Sequence, residues 1–246
     1  MNKLVSVVIP TYNGAKWIHE TIESVLSQDY EPIEIIVVVD GSTDNTLEVL
    51  KKYKTISVHS YKENKNRCFA RNYGAEKAKG YYLRWLDHDD LLTLGSIKKQ
   101  VAFMEDHPYI DFVYSDLTQF KVRRGKKFFC GVYGGFKVDH DLKKTMDENL
   151  QKPFNVNLCS LYLLDAKRWT FRIPASTPLL KKKVFDSGVR WDLKILEMAA
   201  YLEDIDYYLN VVFSGFKLAH LLIFHILISK IWRLFKISFE PTGKSP

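Results

Sequence analysis

A mixed α/β fold with a mostly parallel central sheet is the architecture this sequence predicts, on three observations. Short β-branched runs alternate with amphipathic stretches from Leu4 to Phe120. Apart from Ser6 and Glu34 the first two runs are apolar, as a strand covered on both faces requires. Loops rich in Asp, Asn, Thr and Gly follow them, and that is where open α/β sheets bind ligands.

The elements follow in order. Leu4 to Ile9 reads as a buried parallel strand, ended by the loop Pro10-Thr11-Tyr12-Asn13-Gly14. Ala15 to Gln28 is amphipathic, with Trp17, Ile18, Ile22, Val25 and Leu26 at helical spacing. A second buried strand, Ile33 to Val39, runs into Asp40-Gly41-Ser42-Thr43-Asp44, where Gly41 permits a tight turn and Ser42 or Thr43 is placed to cap a helix from Asn45 to Lys54. Ser57 to Tyr61 is a weaker strand, and Asn66 to Lys79 a helix whose polar face includes Arg67, Arg71 and Asn72. After Gly80 the strand Tyr81 to Leu86 leads into Asp87-His88-Asp89-Asp90, with Asp90 the expected cap of a helix that runs from Gly95 to Asp106. Ile110 to Phe120 is another strand, Lys121 to Lys127 a hairpin tip, and Phe128 to Tyr133 an aromatic strand.

Beyond that point the alternation becomes irregular. Asp139 to Asp165 reads as mixed helix and loop, Ile173 to Pro178 as a loop, Leu180 to Phe185 as a short element, and Leu202 to Ser214 as a helix that opens on Glu203-Asp204-Ile205-Asp206. Leu218 to Ser229 is nearly apolar but too short for a bilayer, which needs roughly 20 apolar residues. Two readings stand for it: a strand from Phe216 to Ile223 followed by a core helix, or a basic interfacial helix with His225, Ser229, Arg233 and Lys236 on one face. One domain over 1–246 is the simplest parse, with 1–116 and 117–246 as its two halves.

The net charge of +7 is unevenly placed. Residues 1–110 carry 14 Lys/Arg against 15 Asp/Glu, whereas residues 111–246 carry 22 against 14. A basic second half favours an anionic partner such as a phospholipid leaflet, a lipid-linked pyrophosphate or nucleic acid. Cys68, Cys130 and Cys159 are odd in number and lack metal-ligand spacing, which argues against a disulfide framework and fits a reducing compartment. The run Leu4 to Ile9 is too short for a signal peptide.

Three carboxylates in four residues, Asp87, Asp89 and Asp90, repel one another unless a cation neutralises them. Thr11 and Tyr12, Asp40, and Asp87 with Asp89 all fall at the carboxyl ends of strands, so they share one sheet edge. A polar loop, an Asp suited to a base or ribose, and a carboxylate pair suited to a hard divalent ion describe a nucleotide-diphosphate site. No GxxxxGK[ST] and no GxGxxG after a strand is present, which disfavours P-loop and dinucleotide chemistry.

The segments Val8-Ile9-Pro10-Thr11-Tyr12-Asn13, Val39-Asp40-Gly41-Ser42-Thr43-Asp44, Ala70-Arg71-Asn72 and Leu86-Asp87-His88-Asp89-Asp90 together resemble family 2 of the glycosyltransferases, enzymes of the GT-A fold. The resemblance covers residues 4 to about 116 and returns at Pro174 to Phe216. It implies inverting transfer of a hexosyl or N-acetylhexosaminyl group from a nucleotide sugar, usually a UDP-sugar, with Mg²⁺ or Mn²⁺. By the same resemblance Pro10, Thr11 and Tyr12 would line the uracil pocket, Asp40 would bond uracil and Arg71 would face the nucleotide. Asp87, with His88 beside it, would reach the ribose or sugar, and Asp89 would ligate the metal. Glu203-Asp204 is similar to the family's ED motif, so Asp204 would be the catalytic base, with Asp206 its rival.

Two departures stand out. The family commonly has paired Asp before Gly-Ser, and here the first position is Val39; the family also commonly closes with a His-containing loop, and here Leu218 onward is unusually apolar, with His225 a candidate for that metal or diphosphate contact. The expected acceptor is a glycan or lipid-linked hydroxyl in bacterial surface polysaccharide synthesis, with no role for nucleic acid. The expected location is the cytoplasm, at the inner face of the cell membrane. The rival functions are a non-catalytic nucleotide-sugar-binding protein of the same fold and a sugar-1-phosphate nucleotidyltransferase, whose Gly-rich basic loop Thr11-Tyr12-Asn13-Gly14 does not supply.

Overall fold

The structure is a computed structural model that describes residues 1–123, 126–133, 173–194 and 203–229. The first apolar run forms β1 (Val5–Thr11), buried along its whole length, and the second forms β2 (Ile33–Asp40). They pair in parallel from Val5 opposite Ile33 to Thr11 opposite Val39. β3 (Ser57–Tyr61) lies parallel on the far side of β2, and β4 (Tyr82–Trp85) parallel on the other side of β1. The crossovers are α1 (Ile18–Leu26), the short α2 (Thr46–Leu50) and α3 (Arg67–Lys77).

Side chains along a strand alternate between the two faces of the sheet, so a fully apolar strand feeds two cores. Val7, Ile9, Val37 and Val39 pack on one face with Ile18, Ile22 and Val25 of α1. Val8, Ile36 and Val38 pack on the other with Cys68, Ala70 and Ala75 of α3. Cys68 is a buried free thiol in that second core, and burial pushes it up to about 11.

The later elements are β5 (Asp90–Leu92), α4 (Ser96–Asp106), β6 (Phe112–Arg123), β7 (Lys126–Tyr133), β8 (Leu179–Lys181), α5 (Lys182–Asp186), α6 (Glu203–Phe213) and β9 (Leu218–Ser229). The sheet runs β3-β2-β1-β4-β8-β6-β9-β5, with β7 paired to β6. β8 is antiparallel to both β4 and β6, and β9 is parallel to β6 and antiparallel to β5. The mostly parallel sheet expected from the sequence is therefore present, with antiparallel strands inserted in its second half.

Three expectations are corrected. The run from Leu218 is neither an interfacial helix nor a short strand followed by a helix: β9 continues to Ser229, because β6 and β5 supply ladder partners on its two edges. Periodicity could not separate these readings in so uniformly apolar a run. Arg233, Lys236 and the segment Asp139 to Asp165 lie outside the described residues. Ser42 and Thr43 do not cap α2, whose N-cap is Asn45 with no side-chain cap; the Asp44 carboxylate accepts from the N–H of the first helical residue, Thr46, at 3.0 Å. Asp90 does not cap α4, whose first turn is entered through Gly95 at φ 79° with no side-chain cap; Asp90 begins β5 instead. No described helix is long and apolar enough to cross a membrane.

Candidate active site

The loops after β1, β2 and β4 are laced together at the carboxyl edge of the sheet. Ser42 Oγ accepts from the Asn13 backbone N–H at 3.0 Å, and Asn13 Oδ1 accepts from the Thr43 N–H at 2.8 Å. The Ala15 N–H donates to Asp44 at 3.0 Å. Gly14 sits against the Thr11 hydroxyl and the His88 ring, so closely that a Cβ there would collide with both. The first and fourth strand loops thus interdigitate, and Thr21 Oγ1 fixes the latter by donating to the His88 carbonyl at 2.7 Å.

Within this edge Pro10 and Thr11 are buried and Tyr12 is 46% exposed, an aromatic face left open at the mouth of the loop. Asp40 ends β2 and is 2% exposed. Its two oxygens accept from the Lys65 backbone N–H at 2.9 and 3.1 Å. Gly41 makes this possible: at φ 71° it lets the Glu63–Asn64 backbone approach where a side chain would stand. Burial still dominates and pushes the Asp40 carboxyl up.

The acidic cluster divides by environment. Asp87 faces Arg71, whose Nη2 donates to its two oxygens at 2.9 and 3.2 Å. Burial opposes ionisation of Asp87, but the guanidinium outweighs it and holds the carboxyl below the usual carboxylate range. Asp89 experiences the reverse: burial, reinforced by the charge of Asp87 and opposed by His88, raises it. Asp90 is 4% exposed and accepts from Ser176 Oγ at 2.6 Å. That same Ser176 oxygen accepts from the Asp87 N–H at 3.0 Å, and the Ser176 carbonyl accepts from Arg84 at 2.6 Å. The loop before β8 therefore props the acidic turn from beneath.

Asp204 arrives at the first turn of α6, and its Oδ1 lies 3.6 Å from Arg71 Nη1. Glu203 beside it pairs with Arg67 at 2.8 Å. Asp206 is less deeply placed, with its carboxyl raised by burial and by Asp192. Trp191 stacks on Tyr207 with ring centroids 4.3 Å apart, and Arg71 lies over the Trp191 ring at 4.3 Å. Asn72 holds Trp191 by its backbone, donating to the carbonyl at 2.8 Å and accepting from the N–H at 3.0 Å.

The structure therefore brings Arg71, Asp87 and Asp204 into one cluster, next to a loop that carries His88 and Asp89. Sequence reasoning missed Ser176 and Trp191. Ser176 lay in a segment legible only as a loop, and Trp191 in one with no periodic signal. The side chain of His225 is outside the described residues.

Among the described residues no three His, Cys, Asp or Glu side chains form a ready metal cage. The donor set nonetheless suits a hard divalent ion that brings its own ligands. Burial raises the Asp89 carboxyl, so its ionised form would gain from a cation beside it, and ions of the Mg²⁺ type are commonly held by one or two carboxylates plus substrate phosphates.

Comparisons with known proteins bear on the family and the fold. The family model described as Glycosyl transferase family 2 matches residues 6–166. A Rickettsia felis protein named as an uncharacterized glycosyltransferase is 39% identical over 135 residues, which is 54% of this chain and 22% of that protein. The Escherichia coli protein WfaP, named as a UDP-Glc:α-D-GlcNAc-diphosphoundecaprenol β-1,3-glucosyltransferase, is 40% identical over 116 residues, 46% of each chain. The matched stretches thus cover less than half of these relatives. Among solved structures, S. aureus TarS residues 1–349 in complex with UDP-GlcNAc superposes with a TM-score of 0.67 at 22% identity, over 92% of this chain and 58% of that one. That likeness is one of fold.

Proposed function

We propose that this chain, which belongs to glycosyl transferase family 2, transfers a sugar with inversion from a nucleotide-diphosphate donor to a hydroxyl of a glycan or lipid-linked acceptor. The observation that carries the reading is the meeting of Asp204 with Asp87 around Arg71, beside the loop of Asp89. A candidate base and a candidate donor loop, far apart in sequence, share one cation at the carboxyl edge of a GT-A sheet.

In this reading Pro10, Thr11 and Tyr12 line the base pocket, with the open face of Tyr12 stacking on uracil, and the buried carboxylate of Asp40 accepts a base N–H. Asp87 and His88 contact the ribose or sugar, Asp87 backed by Arg71. The donor is a UDP-sugar; the UDP complexes of the TarS fold and the UDP-glucose of the WfaP name support that choice. Asp89 would hold Mg²⁺ or Mn²⁺, and a bound ion would supply neutralisation of charge on the diphosphate.

The chemistry assigned to this chain's own residues is a proton transfer. The acceptor oxygen forms a bond to the anomeric carbon as the bond from that carbon to the diphosphate oxygen breaks, with the electron pair leaving on the nucleoside diphosphate. Asp204 takes the hydroxyl proton from the side opposite the leaving group. The surface-polysaccharide setting, and an acceptor borne on the inner face of a membrane, are supported by the basic second half and by the diphosphoundecaprenol acceptor in the WfaP name.

The test is Asp204→Asn. Transfer from UDP-sugar should fall about 10²–10⁴-fold, the usual weight of a general base, while UDP affinity in Mn²⁺ changes little. A wild-type chain that binds UDP-sugar but never turns it over would favour the non-catalytic binding protein instead.

A further inference from the structure

We infer that Arg71 is a positioning residue that ties the donor loop to the catalytic base and does not itself touch the nucleotide; this rests on the function proposed above. The Arg71 side chain is 2% exposed, so a ligand in solvent reaches its guanidinium only by displacing neighbouring groups. Its Nη2 is occupied by both oxygens of Asp87, and the flat face of the ion is covered by Trp191 at 4.3 Å. The Asp87 side chain is 36% exposed and stands between Arg71 and solvent. A nucleotide would meet Asp87 first.

The other nitrogen, Nη1, points to Asp204 at 3.6 Å. Three acidic side chains, Asp87, Glu203 and Asp204, act on this one cation, and together they outweigh its burial and raise its pKa. Removing it would leave neighbouring carboxylates facing one another in a poorly solvated place, and they would move apart or take up protons. A planar guanidinium can meet one carboxylate through one terminal nitrogen while its other terminal nitrogen faces a second. Its origin is fixed as well: the Arg71 carbonyl accepts from Trp85 Nε1 at 3.0 Å, and Asn72, the next residue, grips the Trp191 backbone. Arg71 thus links the end of β4 to the start of α6, the two elements that carry donor contact and base.

The experiment compares wild type with Arg71→Lys, Arg71→Gln, Asp204→Asn and the double variant Arg71→Lys/Asp204→Asn. UDP affinity in Mn²⁺ is read by calorimetry, and turnover of UDP-sugar by transfer or slow hydrolysis. Both Arg71 variants should keep the UDP Kd within about threefold and lose about 100-fold or more in kcat, and Arg71→Lys should add less than about threefold to the loss in Asp204→Asn. A nucleotide contact predicts the opposite split: Kd up about tenfold or more, and losses that multiply in the double variant; either result overturns the inference.

Near-UV circular dichroism identifies variants that fail to fold. The pair Asp87→Asn and Asp204→Asn, which leaves Arg71 intact, then gives the second reading. Tied carboxylates should show a combined kcat loss well below the product of the single losses, and a full product counts against the tie. If wild type binds no UDP, the glycosyltransferase reading fails; if it binds and turns over while the variants behave independently, only the role of Arg71 fails.

Discussion

Gly74→Ala is expected to destabilise the protein although alanine is the better helix former. Gly74 lies inside α3, where the exchange gains about 1 kcal/mol of helix propensity. Against that, the new Cβ would overlap Val8 Cγ1 and stand 3.2 Å from Val38 Cγ2. Both valines are 0% exposed, belong to paired parallel strands and are stiff at χ1, so neither can turn away. An overlap this deep puts the cost at the upper end of what overpacking typically takes, about 2–3 kcal/mol, leaving a net loss of about 1–2 kcal/mol. At about 2–4 °C per kcal/mol for a chain of this size, Tm falls by about 2–8 °C in a calorimetric scan. Because α3 carries Arg71, any retreat of the helix should also lower turnover more than UDP affinity. A Tm that rises by 2 °C or more, as propensity alone predicts at about 1 kcal/mol, would refute the argument that the helix sits against immovable strands.

Further outcomes follow from the site. Asp89→Ala should reduce UDP affinity in Mn²⁺ to its metal-free value; an undiminished metal effect would remove Asp89 from that role. Tyr12→Ala should weaken UDP binding by about 1–3 kcal/mol, the usual worth of one stacked base, with Tyr12→Phe near wild type, and equal affinities for all three would exclude stacking. Asp40 bears on stability and binding in opposite senses. Burial raises its folded pKa above 3.8, so the folded state holds the proton more tightly, and stability falls as pH rises from 3.8 through the raised value. Asp40→Asn should flatten that part of the stability profile and leave Tm at neutral pH equal or higher, while UDP binding is lost. An unchanged profile, or retained UDP affinity, would contradict the assignment.

Much of the first half was legible because its signals are local. Apart from Glu34, Ile33 to Val39 is apolar and became a strand buried from Ile35 onward, and Ser57 to Tyr61 was placed to the residue. The turn at Asp40-Gly41 could be read because φ above zero and a close backbone need glycine. Asp90 was misread because its hydrogen-bond donor Ser176 lies 86 positions later and its strand partner Ile228 lies farther still, and no local pattern carries those distances. The same holds for Trp191, placed by Asn72 across 119 positions. β9 was misread for a different reason: a nearly apolar run interrupted only by His220 and His225 has no clear period, and its neighbours β5 and β6 make it a strand. At the site, residue types and order were readable, but the pairing of Arg71 with Asp204 was not.

The place of β8 bears on how the chain is made. This three-residue strand, from a segment synthesised after residue 178, is the only described bridge between β4 and β6. On a ribosome the nucleotide-side strands can assemble early, yet the edge of β4 stays open until Leu179–Lys181 emerges, and Asp87 and Asp90 lack their Ser176 support for the same interval. The two halves are therefore distinct in sequence and inseparable in assembly. A fragment that stops before Ile173 would carry the donor motifs and leave an unpaired apolar edge, a template for aggregation rather than a small binding domain.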